Sequence, residues 1–555
     1  MKNAKFLAVV ALACAMLVGC SSSKPADNTT TTAAPTEGAA ATEGNGTLYV
    51  ASDTDLSTMD HHIATDGTSF ISHTVCISGL TKLDDGNSPL PELAESWDIS
   101  EDGLTYTFHL ADAKWSNGTP VTANDFVFAW HRLIDPDTAS EYSFILDTIH
   151  VVNAAEVNAG ELPVEELGVK AIDDKTLEVQ LSLPCDFLLG LMAFPSFFPL
   201  NEEFFNSVGD QYATTPDNMI YNGPYVMTNW TSGSGWSFEK NPDYFRADED
   251  TDIVDAIEFK FVQDTQSAML EYQSGNLDVV KLTGEQVDAY SMEEGFNNRL
   301  QGYLWYLSID FTVEKFNNDN LRKALSLSVD RETIAKNVLK DGSIPAGGII
   351  PEALASSPSG VDFREEKGTI TVYDPEAAAE YYAKAVEELG GDQTIELLFE
   401  DTEASKAFAE YIQNNWETNL PGLTVTLNQK PKKTRLEMMN NQEYEVALTR
   451  WGPDYADPQT YMDLFVSTNT DNNPGRFNSA AYDEAVLEAT KGDSATDSQA
   501  RWDLLKKAED VLVTDDIGVI PVYQNGGAMM ITPTVKNLNF HSAAVDDYRH
   551  VTKGK

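Results

Sequence analysis

The stretch Thr105-Tyr106-Thr107-Phe108-His109-Leu110, followed by Lys114-Trp115-Ser116-Asn117-Gly118-Thr119-Pro120-Val121-Thr122 and Asp125-Phe126-Val127, is the most informative in the chain. Tyr106, Phe108 and Leu110, with Leu104 ahead of them, alternate with polar residues. A period of two in β-favouring residues predicts a strand with one buried face. The same alternation returns at Leu177, Val179, Leu181 and Leu183, and at Ile257, Phe259 and Phe261. Elsewhere the period is helical. Asp374 is a good N-cap, Pro375 suits a first turn and Gly390 suits the position past the end, which predicts a helix over 374–390. Leu321, Ala324, Leu325 and Ile334 predict another near 319–340, and Leu504, Leu505, Ala508, Val511 and Leu512 a third near 499–513. Strands and helices thus alternate, which is the pattern of mixed α/β domains. No internal repeat is visible.

The chain has 555 residues, 42 % of them hydrophobic, which is enough for large cores and too long for one of them. Its formal charge of −51 argues against a nucleic-acid partner, because neutralising phosphates needs a basic surface. An anionic membrane would repel it as well, unless the chain is tethered.

The first twenty residues supply a tether. Lys2 and Lys5 precede an apolar run from Phe6 to Val18, which suits a signal peptide and is too short to span a bilayer as a helix. Leu17-Val18-Gly19-Cys20 resembles the bacterial lipobox, which implies cleavage of a signal peptide 1–19 and lipid on the Cys20 sulfur. Residues 21–47 are dominated by Ser, Thr, Ala, Pro, Gly and Glu and predict a flexible linker, roughly 25–30 Å root-mean-square as a coil. Export would permit a disulfide between Cys76 and Cys185, but the apolar neighbours of each favour small buried thiols.

No phosphate-binding loop, C-x-x-C or H-E-x-x-H pattern occurs. His61-His62, if on a strand, would point to opposite faces and not share a metal. Asp248, Asp250, Asp252 and Asp255 look like a calcium loop, but Ile253 and Phe259 stand where an EF-hand needs glycine and glutamate, leaving a solvated acidic turn. No catalytic group stands out, and neither a cofactor nor a metal is expected.

Several segments taken together resemble the extracellular peptide-binding proteins of ABC importers, the oligopeptide-binding family. These are Leu93-Ala94-Glu95-Ser96-Trp97, the opening stretch with Asp135-Pro136, and Thr138-Ala139-Ser140-Glu141-Tyr142. They continue with Asn222-Gly223-Pro224-Tyr225, Lys240-Asn241-Pro242-Asp243-Tyr244 and Arg322-Lys323-Ala324-Leu325 with Val329-Asp330-Arg331. Trp451-Gly452-Pro453-Asp454-Tyr455, Asp457-Pro458 and Ile520-Pro521-Val522-Tyr523 complete the set. The resemblance implies an α/β, two-lobed type II periplasmic-binding-protein (Venus flytrap) fold with an extra inserted domain. Lobe I would comprise 45–82, 196–300 and 516–555, the insertion 83–195, and lobe II 301–515. The implied protein is no enzyme but a monomeric, exported receptor. Lipid-anchored to the outer face of the cell membrane, it would deliver peptides to the permease subunits of an ABC transporter.

A receptor for many peptides must read what all peptides share: backbone, amine and carboxylate. Strand addition serves the first, and roomy, hydrated pockets tolerate the side chains. A buried ammonium needs a counter-charge, and the resemblance assigns that role to Asp454, with Trp451 and Gly452 on the strand edge. It also implies a first-lobe edge at Thr65-Asp66-Gly67 and pocket residues Tyr142 and Tyr523. Arg450 stands where oligopeptide binders can have glycine, and Asn525 where a pocket tyrosine is possible. Lys430, Lys432, Lys433 and Arg435 form a basic cluster that is either a solvated loop or, with Arg450, a partner for the ligand's carboxylate. The same fold could instead hold a dipeptide, nickel complex, haem or oligosaccharide, or serve a peptide-signal sensor.

Overall fold

The computed structural model describes residues 45–470 and 472–554. The signal peptide, Cys20 and nearly all of the linker expected over 20–47 lie outside the described residues. Asn45 is already tied down, its amide donating to the carbonyls of Thr251 and Ile253 at 2.7 and 2.9 Å.

The opening stretch folds as expected. Thr105–Leu110 is a central strand of a four-stranded antiparallel sheet, between Ala94–Ile99 and Thr176–Gln180, with Val169–Asp173 outside. Tyr106 and Phe108 turn inward and share a core with Phe126, Ala129, Trp130 and Leu133 of the helix Ala123–Ile134. Asp125 ties the block together. Its carboxylate accepts from the Trp115 indole at 3.2 Å, from the Thr122 backbone at 2.9 Å and from the Asn201 amide at 3.2 Å. That closes a capping box on the helix while satisfying a buried indole.

The rest is organised by one sheet of eleven strands. In order across it run Thr424–Lys430, Thr394–Glu400, Val446–Trp451, Phe296–Ile309, Val519–Ile531, Val279–Lys281, Thr47–Ser52, Ala256–Phe261, Gly235–Lys240 and Tyr225–Thr231; Ile344–Pro345 adds to Val519–Ile531. Phe296–Ile309 and Val519–Ile531 are long enough to serve both halves. Phe296–Leu300 pairs with Gly526–Met530 beside the first-lobe strands, and Leu304–Ser308 with Val519–Gln524 beside the second-lobe strands. Between the two paired stretches the register shifts, from Leu300 to Leu304 and again from Trp305 to Tyr306. Gly302 lies in the first shift, where a Cβ would collide with the Ser542 carbonyl and the Pro453 ring.

Separate apolar cores sit on either side of this crossing. One joins Leu48, Val50, Tyr225, Phe238, Ile257 and Phe259; another joins Leu307, Leu325, Tyr382, Leu397, Trp416 and Leu448. Ile517, Ile520, Val522 and Tyr523 belong to the second cluster, so the chain passes between halves near Asn525 and not at 516. Burial decides this, because the first half of Val519–Ile531 packs between second-lobe strands.

The helix Pro375–Leu389 has its Asp374 cap, accepting from the Ala377 amide at 3.0 Å, and ends on Gly390 at φ +79°. The single helix expected over 319–340 is two, Asp319–Leu327 and a turn beginning Arg331–Thr333. Ser328 bonds back to the Ala324 carbonyl at 2.8 Å, and Asp330 caps the new start by accepting from Thr333 at 3.0 Å. Ser498–Asp510 forms the third. Cys76 and Cys185 are free, buried thiols, pushed upward in pKa by desolvation.

His61 and His62 occupy a turn and not a strand, so the expectation of opposite faces fails. Their rings lie 4.2 Å apart and fully buried, with His73 6.0 Å from His61. Among the described residues no group of three or more His, Cys, Asp or Glu could hold a metal ion, and no helix is long and apolar enough to cross a membrane.

Candidate functional site

Val446–Trp451 pairs along one side with Phe296–Ile309, from Ile309↔Val446 to Leu304↔Trp451. On its other side Thr394–Glu400 reaches it only at Leu397↔Val446 and Leu398↔Ala447. The edge at Arg450, Trp451 and Gly452 therefore lies past that pairing, where an added strand would find backbone groups to bond. The Trp451 carbonyl on this segment accepts from the Tyr461 hydroxyl at 3.1 Å. Tyr461 also bonds the Gly302 carbonyl, which fixes the segment to the crossing strands. Gly452 is required by crowding, since a Cβ there would strike the Tyr303 ring.

Two residues on is Asp454. Its backbone N–H donates to Thr460 Oγ1 at 3.2 Å, and its carboxylate accepts from the Tyr142 hydroxyl at 3.0 Å. Among the described residues no cation pairs with it. Desolvation pushes the carboxyl up to about 7, with the Tyr142 hydrogen bond opposing the shift. Burial, and then the neighbouring Asp454, push the Tyr142 phenol up. Tyr142 is held in place by Phe70, Phe194 and Phe144, whose rings lie 5.6, 5.2 and 5.8 Å away. Tyr142 packs against the core of the four-stranded sheet, so this hydrogen bond ties that core to the segment that follows Val446–Trp451.

Opposite lies Thr65-Asp66-Gly67. It is not a sheet strand. Thr65 is exposed, Asp66 is extended at φ −125° and ψ 149°, and Gly67 begins the helix Gly67–Cys76. The Asp66 carboxylate caps that helix, accepting from the Ser69 amide at 3.0 Å. Its charge is felt, weakly, at Lys432 and Tyr303.

Arg450 is engaged. It donates to Glu400 Oε1 at 2.8 Å and lies 4.6 Å over the Trp305 ring. Behind Trp305, stacked at 5.5 Å, is Tyr523, which is 3 % exposed and belongs to the core more than to a pocket wall. The basic cluster divides. Arg435 is buried within 3.6 Å of the same Glu400, whereas Lys433 is exposed. Lys432 is exposed as well, yet desolvation and then Arg450 lower its ammonium pKa, while Glu400 and Asp66 oppose this. One carboxylate thus faces two guanidiniums with an ammonium nearby, a local surplus of positive charge. Asn525 donates to Gln301 Oε1 at 2.5 Å and lies at the strand crossing.

Next to Asp454 is a cavity of about 410 Å³, walled in part by Phe187, Phe194, Tyr455, Trp502, Asp186 and Asp454. Tyr303, Glu400 and this cavity escape a sequence reading. Only Tyr303 leaves a trace, through Gly302 beside it, since glycine inside a strand marks a close backbone approach.

Two lobes joined by crossing strands, with a desolvated carboxylate and an open strand edge between them, define a cleft-type binding protein. Comparison with known proteins agrees. Residues 88–473 match the model of the bacterial extracellular solute-binding proteins, family 5. The chain is 31 % identical over 510 residues to the dipeptide-binding protein of Lactococcus lactis subsp. cremoris, covering 89 % of this chain and 91 % of that one. Among solved structures it is similar to the substrate-binding domain of an oligopeptide ABC transporter from Bacillus anthracis, with a TM-score of 0.79 and 38 % identity over 92 % of this chain and 99 % of that one. The Listeria monocytogenes OppA bound to peptide gives a TM-score of 0.79 and 34 % identity, over 92 % of this chain and all of that one. The chain belongs to the family 5 extracellular solute-binding proteins, with their two-lobed type II fold.

Proposed function

We propose that this protein captures peptides in the cleft between its lobes and delivers them to an ABC importer. The observation that carries the reading is Asp454, a carboxylate without a cation partner among the described residues, at the end of an open strand edge. A peptide laid along Arg450–Gly452 would place its ammonium there and direct its carboxylate end toward Arg450 and Lys432. Thr65–Gly67 would close on the ligand backbone from the other lobe, and Tyr142 would orient the Asp454 carboxylate. Trp305 and Tyr523 support Arg450 from behind. Relatives named for dipeptides and for oligopeptides support the ligand class. The role is binding and not catalysis, and one chain supplies both lobes, so the receptor acts as a monomer.

Mass spectrometry of ligand released from the purified protein tests the assignment. Peptides of mixed sequence are expected; a sugar or a metal chelate would replace it. Lipid on Cys20 would hold the receptor at the outer face of the membrane, where its strong negative charge alone would keep it away. Labelled fatty acid should be incorporated by the wild type and not by Cys20→Ala.

A further inference from the structure

We propose that the cavity beside Asp454 is a subsite for a cationic side chain, lysine or arginine, on the first residue of the bound peptide. The proposal rests on the peptide reading above and adds a preference to it. A ligand whose backbone follows Arg450–Gly452 and whose ammonium meets Asp454 has its first side chain where that segment stops. The cavity opens at that point, for Asp454 and Tyr455 are in its wall and Arg450 is not.

The walls are aromatic. Phe187 stacks on Tyr455 with ring centres 4.3 Å apart and planes 7° from parallel, and Phe194 and Trp502 face the same space. Aromatic faces attract cations, most strongly where water is displaced. The charges point the same way. Among the described wall residues Arg501 is the one cation; it donates to Asp457 at 2.8 and 2.7 Å and to Gln459 Oε1 at 2.9 Å, and it lies 5.8 Å from the centre of the Phe187 ring, which leaves three carboxylates, Asp186, Asp454 and Asp457, facing a single guanidinium. Asp186 and Asp454 remain, with no cation paired to either among the described residues. A peptide beginning with lysine or arginine brings two positive charges to these two carboxylates. A neutral first side chain leaves Asp186 to solvent and to the longer-range attraction of Arg501, and an acidic one adds repulsion. At about 410 Å³ the cavity is large enough for a long side chain.

Calorimetry on the full chain at low salt tests this with Lys-Ala-Ala-Ala, norleucine-Ala-Ala-Ala, Glu-Ala-Ala-Ala and Ala-Ala-Ala-Lys, in the wild type and in Asp186→Asn. Asp186 is exposed, so the substitution leaves the core alone. The lysine-first peptide should bind about tenfold more tightly than its norleucine isostere, and the glutamate-first peptide most weakly. Asp186→Asn should narrow the difference between the lysine-first and norleucine-first peptides to about twofold. Equal or tighter binding of the norleucine peptide would overturn the proposal and make the cavity an apolar pocket. A preference that survives in Asp186→Asn, or that is as strong for Ala-Ala-Ala-Lys, would also overturn it. If no tetrapeptide bound at all, the peptide reading would fall and this proposal with it.

Discussion

The Tyr142 hydroxyl donates to the Asp454 carboxylate at 3.0 Å across 312 positions of sequence, tying the core of the four-stranded sheet to the segment that follows Val446–Trp451. Among the described residues no cation pairs with Asp454, so on the proposed reading its counter-ion is the ligand's ammonium.

Asp454→Asn should therefore cost about 3 kcal/mol or more of peptide affinity, the range for a buried charge deprived of its partner. Calorimetry with one tetrapeptide and its N-acetylated form measures this directly. The acetylated peptide should lose a similar amount in the wild type and little further in the variant. Unchanged affinity in either arm would remove Asp454 from the amine-binding role.

Desolvation pushes the carboxyl of Asp454 up to about 7, and a ligand ammonium would draw it down. Peptide binding then requires loss of a proton below about 7. Affinity should fall by up to about tenfold per pH unit below that point and level off above it. Folding has the opposite dependence. The folded carboxyl lies above its unfolded value near 3.9, so its contribution to stability is fully present below that value and is lost as pH rises through about 7. Thermal melting without ligand should show Asp454→Asn gaining on the wild type between pH 4 and 8, while its binding profile stays flat.

Gly452→Ala should weaken peptide binding by about tenfold or more, because its Cβ strikes the Tyr303 ring and moves the edge that receives the ligand. Removing the obstruction as well, in Gly452→Ala with Tyr303→Ala, should restore melting temperature toward that of Tyr303→Ala alone. A Gly452→Ala protein with wild-type affinity and melting temperature would refute the crowding.

Glu400 holds Arg450 at 2.8 Å and lies 3.6 Å from the buried Arg435. Glu400→Gln should destabilise the fold by about 3 kcal/mol, because Arg435 loses its counter-charge, and urea unfolding measures this. In the same variant the freed Arg450 should favour peptides with a free C-terminus over amidated ones more strongly, and high salt should shrink that difference. Equal affinities for free and amidated peptides in both proteins would take Arg450 and Lys432 out of carboxylate recognition.

Local signals carried far in this chain. Alternation at Tyr106 and Phe108, and punctuation at Asp374 and Gly390, are short-range patterns, and the strand and helix they predict are present. The break at Ser328–Asp330 escaped because apolar spacing continues across it while hydroxyl and carboxylate caps end one helix and start another. His61 and His62 misled because side-chain direction depends on backbone conformation, which a dipeptide does not reveal. At the site, Asp454 stood out through its neighbours Trp451 to Tyr455. Its isolation from cations depends on what segments distant in sequence leave unfilled. Tyr523 was legible as an aromatic, but its place behind Trp305 depends on strand pairing across more than two hundred residues.

The register shift around Gly302 has a mechanical side. Gly302 lies against Pro453, next to Asp454, so the proposed anchor sits close to the crossing strands; if the lobes turn about that crossing, it sits near the pivot. Near a pivot, rotation moves atoms little, while the far rims sweep through long arcs. On the proposed reading such an anchor would meet an incoming amine at almost any degree of opening, whereas contacts at the rims would form only as the jaws come together. Capture would then begin at the fulcrum, and the free end of the peptide would be enclosed last.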